Sequence, residues 1–154
     1  MCRHLLLPLI AAAAIAIAAD DPAGWSKARW GMSDAQILQA FDGQAVRAGS
    51  RIVIPSIELA GARFRVTFQP DKAGHLHSVV FTAIDPPTDS LAQAVEELLA
   101  SKYGHPWKTQ AAHTTDTQWA VGATVIQLTH THLHQPVEFQ LITLRYALQS
   151  ADPI

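Results

Sequence analysis

The chain has 154 residues, of which 49% are apolar and 16% charged, with 11 basic against 13 acidic side chains and a formal net charge of −2. That balance, with no block of like charge, argues against a nucleic-acid surface or a face for anionic membranes. The only cysteine is Cys2, which excludes a disulfide framework and a cysteine-built metal site.

Arg3 and His4 precede an apolar run from Leu5 to Ala19, and Ala16-Ile17-Ala18 offers small residues where a signal peptidase cuts. The run falls short of the roughly 20 apolar residues of a membrane span, and Asp20 and Asp21 follow it. Residues 1–19 are therefore expected to be a secretory signal peptide, with the mature chain beginning near Ala19 or Asp20. Because Cys2 lies before the run, no lipid-acceptor cysteine follows the cut. The expected product is a soluble periplasmic protein with no membrane anchor, its residues 20–154 forming a single domain.

The first helix signal in that domain is Met32-Ser33-Asp34-Ala35-Gln36-Ile37-Leu38-Gln39-Ala40-Phe41. Ser33 and Gln36 have the spacing of a capping box, in which each side chain satisfies the other residue's free backbone N–H. Met32 and Ile37 are placed as a hydrophobic staple; Ile37, Leu38 and Phe41 form one apolar stripe, and Gly43 suits the end.

Strand signals run from Arg51 to Thr82. Pro55 interrupts the β-branched run Ile52-Val53-Ile54 and confines it to an edge or a bulge. Arg63 to Gln69 alternates, with Phe64, Val66 and Phe68 on one face, and Pro70 to Gly74 turns the chain into His75 to Thr82. A second helix is predicted over Asp89–Tyr103, with Thr88 or Asp89 as its cap, a stripe of Leu91, Val95, Leu98 and Leu99, and Gly104 as its stop. Three more strands follow: Thr114 to Val121, Thr124 to about His134, and Val137 to about Leu148. Gly122-Ala123 suits a tight type II′ turn between the first two.

The order of helix and three strands, twice over, predicts an α+β fold of two tandem α-β-β-β units, about 25–84 and 85–150, with a helix on one face of each. Whether the strands form one sheet or two stays open. The signal peptide, the "RWGMS" approach to a capped helix, the "FRVTFQPDKAGHLHSVVF" hairpin, the "YGHP" helix exit and the closing "TQWAVGATVIQLTH … LITLRY" resemble small bacterial exported proteins of unassigned function. More distantly they resemble SmpA/OmlA-type outer-membrane assembly lipoproteins and the β-lactamase-inhibitor-like fold. The resemblance implies a non-catalytic binding or scaffolding domain with another envelope protein as its partner, and it supplies no catalytic residues.

No phosphate-binding glycine loop, nucleophile elbow or His-Glu-x-x-His helix is present. Trp25, Trp30, Trp107 and Trp119 are expected mostly in the core or at its rim. Arg63 and Arg65 share a strand face that suits a carboxylate or water. One constellation stands out: His130, His132 and His134 project to one face of a strand, with successive Cα atoms about 6.5–7 Å apart. If Gly122-Ala123 is a two-residue loop, counting outward pairs Trp119 with Ile126, Thr117 with Leu128, Thr115 with His130 and His113 with His132. His113, His130 and His132, with His134 in reserve, are thus the candidate ligands of Zn²⁺ or Cu²⁺ in an alternative reading as a periplasmic metal-binding protein. A two-residue turn at Gln135-Pro136 would put Phe139 and Leu141 on the histidine face; Glu138 joins it only if the turn has an odd number of residues. His75 and His77 are a weaker pair of the same kind.

Overall fold

The computed structural model describes residues 23–150, so the expected signal peptide lies outside the described residues. A small hairpin, β1 (Gly24–Trp25) and β2 (Ala28–Arg29), leads into α1 (Asp34–Ala40). Then come β3 (Val46–Ala48), β4 (Arg51–Leu59), β5 (Ala62–Pro70) and β6 (Leu76–Ala83). Helix α2 (Asp89–Tyr103) precedes β7 (Trp107–Gln110), β8 (Thr114–Val121), β9 (Thr124–Leu133) and β10 (Phe139–Leu148).

The architecture is α+β, as expected, and strands β3 to β10 make one antiparallel sheet in the order β3-β4-β5-β6-β10-β9-β8-β7. Four strands follow each helix rather than the expected three. The additional ones, β3 and β7, are the two edges of the sheet, and every residue in them is exposed. An edge strand that buries neither face leaves no alternation to recognise.

Both helices cover the same face. Phe68, Val79, Phe81, Leu144, Tyr146, Ile126 and Trp119 stand in register on that face and join Ile37 of α1, Phe41 just beyond it, and Leu91, Val95 and Leu99 of α2 in one core. The opposite face carries Arg65, Thr82, Thr143, Thr129 and Asp116 in register and has no helix among the described residues, the usual asymmetry of an antiparallel sheet. Val79 and Phe81 therefore point inward, and the irregularity in that hairpin falls between Gln69 and Pro70.

The local signals are present in atomic detail. Ser33 Oγ accepts from Gln36 N–H at 3.3 Å and Gln36 Oε1 accepts from Ser33 N–H at 2.9 Å, completing the capping box. Phe41 is the C-cap, so Gly43 (φ +77°) lies two residues beyond it. Thr88 caps α2 through Leu91 N–H at 3.1 Å. On α2, Leu98 is 46% exposed and Ala92 takes its place in the buried stripe. Pro55 sits at a register shift between Ile54 and Ile57, past the last β3 partner at Val53, where its missing N–H costs no ladder bond.

Three tryptophans belong to the packing. Trp119 is buried and donates Nε1–H to the Gly104 carbonyl at 2.9 Å, tying the end of α2 to the sheet. Trp25 stacks on Phe41, and Trp30 donates to Thr124 Oγ1 at 2.9 Å. Trp107, on edge strand β7, is 53% exposed. Arg63 is not free to bind an external carboxylate: its Nε and Nη2 donate to Asp85 Oδ1 at 3.0 and 2.7 Å, and its backbone N–H donates to Oδ2 at 2.8 Å. Those bonds hold the Asp85 carboxyl below the usual carboxylate range.

Candidate metal centre

The Gly122-Ala123 turn is a two-residue loop, with Val121 opposite Thr124, Trp119 opposite Ile126, Thr117 opposite Leu128 and Thr115 opposite His130. Gly122 has φ +56° and Ala123 is not among the positive-φ residues, which fits the first and second positions of a type II′ turn. The pairing places His130 and His132 on the helix-covered face of β9, beyond the apolar run of Ile126 and Leu128. There the side chains are 17% and 18% exposed.

A third donor arrives from the first residue of α2. Asp89 Oδ1 lies 3.1 Å from His132 Nδ1 and 3.5 Å from His130 Nε2, and the three donor atoms are all within 4.8 Å of one another. Donors at about 2.0–2.1 Å from a tetrahedral Zn²⁺ stand about 3.3 Å apart, so the two Asp89 distances bracket the separation such an ion requires. With Nδ1 of His132 on a metal, its Nε2 carries the proton. That atom is buried without a hydrogen bond, and Glu138 Oε1 lies 3.4 Å away, in the place of the carboxylate that commonly orients a metal-bound imidazole. Gln140 Oε1, 3.1 Å from His130 Nε2, adds a neutral oxygen beside the same point.

The predicted ligands divide. His130 and His132 belong to the cluster. His113 meets His132 through its backbone, whose carbonyl accepts from His132 N–H at 2.8 Å, while its exposed side chain contributes no atom to the three-residue group. His134 is exposed and lies against His132 with ring centroids 3.9 Å apart and the rings tilted by 41°, outside that group. His75 stands 4.0 Å from Asp71 in the β5–β6 turn, remote in the sheet order from β9.

The turn from β9 to β10 corrects the two-residue expectation. Five residues, His134–Glu138, connect the strands, so Gln140 faces His132 and Ile142 faces His130, while Phe139 and Leu141 pair with Leu133 and Thr131 on the other face. The odd length also brings Glu138 to the histidine side. Sequence reasoning missed Asp89 and Gln140. Asp89 carried only a capping signal, and no local pattern links it to a histidine 43 residues away.

A cleft of about 400 Å³ opens beside the cluster and shares Asp89 and His130 with it. Its floor is Thr115, Thr117 and Leu128, its helix wall carries Gln93, Glu96 and Glu97, and Lys108 closes the β7 side with Nζ 2.6 Å from Glu96 Oε1. Comparison with protein families, with curated proteins and with solved structures finds no match to this chain.

Proposed function

We propose that this is an exported, non-catalytic binding domain whose ligand is a divalent d-block metal, Zn²⁺ or Cu²⁺, held by Asp89, His130 and His132. The observation that carries this reading is the arrival of the Asp89 carboxylate between two imidazoles at ligand spacing, with Glu138 behind His132. Mixed imidazole and carboxylate donors suit Zn²⁺, and imidazole draws Cu²⁺ more strongly still. The test is calorimetry on protein lacking residues 1–19: one-to-one binding, lost in Asp89→Ala and His132→Ala and kept in His113→Ala. Weak uptake of several equivalents, indifferent to Asp89, would sink it.

A second reading, binding to another envelope protein, rests on the far end of the β9–β10 hairpin. Val137, Phe139 and Leu141 are 73%, 50% and 37% exposed there, and β10 pairs with β6 only from Thr143 onward. This apolar, half-paired end suits a protein contact, and it agrees with the partner that the resemblance to the assembly lipoproteins implies. Crosslinking in cells with a photoreactive residue at Val137 tests it; recovery of uncrosslinked monomer alone would reject it. The duplicated unit is proposed in the same spirit, now as α-β-β-β-β, because α1 packs on β4 and α2 on β8, the second strand after each helix.

A further inference from the structure

Three protein donors leave a tetrahedral ion one position short, and a position left open by the protein is taken by water or by an incoming ligand. Here the cleft adjoins the donor group, because Asp89 and His130 line both. We infer that the metal-loaded cleft takes a short zwitterionic peptide, its carboxylate on the metal and its amino terminus toward Glu97; the inference rests on the metal reading above.

Charge decides the class. A divalent ion with Asp89 leaves one positive charge facing the cleft, since neutral imidazoles add none and Glu138, behind His132 with its side chain 73% exposed to water, does not line it. In the middle Glu96 and Lys108 cancel at 2.6 Å. At the far end Glu97 leaves one negative charge, its only hydrogen-bond partner among the described residues being the neutral Gln93 amide. A ligand of one sign meets repulsion at one end, whereas a molecule with separated opposite charges is complementary to both.

Length decides the size. Glu97 lies eight residues beyond Asp89 on α2, about 12 Å at the helical rise of 1.5 Å per residue. An α-amino acid keeps its charges too close together to span that distance. Two or three extended residues cover about 7–10 Å, and the metal–oxygen bond and the glutamate side chain take up the remainder. The cleft volume of about 400 Å³ is within the range that holds small ligands. Between the two ends, Thr115 and Thr117 on the floor and Gln93 on the wall offer hydroxyl and amide groups to peptide bonds.

Cobalt(II) serves as a visible reporter of the fourth ligand, and Gly-Gly-Gly is the probe, with its N-acetyl and C-terminal amide forms as controls. On protein lacking residues 1–19 and loaded one-to-one with cobalt, Gly-Gly-Gly is expected to shift the visible absorption and to bind at least tenfold more tightly than either capped form. Glu97→Gln should bring it down to the N-acetyl peptide's affinity without changing cobalt affinity. Equal affinity for all three peptides, no effect of Glu97→Gln, or transfer of the cobalt to the peptide would each overturn the inference while leaving the metal site standing. Failure to take up one cobalt would instead remove the metal reading, and this inference with it.

Discussion

Replacing Asp89 by Asn separates the proposed metal centre from a bare histidine strand. In the metal-free protein the change is mild: the side chain is 70% exposed and Thr88, not Asp89, caps α2, so the loss is an acidic residue in the first helical turn, worth about 0.3–1 kcal/mol. In the loaded protein it removes the only charged donor. For a site with a dissociation constant of about 1 µM, or about 8.2 kcal/mol, an even share among three donors is about 2.7 kcal/mol, a roughly 100-fold loss of affinity. At free zinc of about 100 times the wild-type constant, linkage stabilises the wild type by about 2.7 kcal/mol and the variant by about 0.4 kcal/mol. In a domain of this size each kcal/mol moves the melting point by about 3–5 °C. Zinc should therefore raise the wild-type Tm by about 8–13 °C and that of Asp89→Asn by about 1–2 °C. The assay is thermal unfolding by circular dichroism with and without zinc. An unchanged zinc shift in Asp89→Asn, or its disappearance in His113→Ala, would refute the assignment of α2 to the site.

Three further outcomes follow from the fold. Ala60 holds φ +51° ahead of Gly61 at +78° in the tight β4–β5 turn, a conformation Asn adopts more readily than Ala; Ala60→Asn should stabilise by about 0.5–1 kcal/mol, and an unchanged or lower urea midpoint would count against it. Ser33→Ala should cost about 1 kcal/mol through the 3.3 Å cap bond, and a melting curve identical to wild type would show the cap is idle. Burial, with the neighbouring Tyr103 hydroxyl, pushes the Tyr146 phenol well above its usual range. The unfolded chain then loses that proton near pH 10 while the folded one keeps it, so stability is full below pH 10 and declines above it. Tyr146→Phe should flatten that decline, and an alkaline limb as steep as wild type would place its origin elsewhere.

Features set by hydrogen bonds within a few residues were legible in the chain itself. The Ser33–Gln36 capping box, the bounds of α2 at Asp89 and Tyr103, and the β8–β9 register counted outward from Gly122-Ala123 are all of this kind. The common face of His130 and His132 was legible too, because strand period alone dictates it. The edge strands β3 and β7 were not, since they bury no side and carry no alternation. Nor was the face chosen by Gln140 and Glu138, which turned on the parity of the five-residue connection. Only the tertiary structure brought Asp89 to the histidines. Its position follows from Leu91, Val95 and Leu99 burying α2 against the sheet, and burial is a nondirectional force that leaves no mark at Asp89. Whether His113 or Asp89 brings a side chain to the two imidazoles was thus decided by how a helix docks, 43 residues from His132.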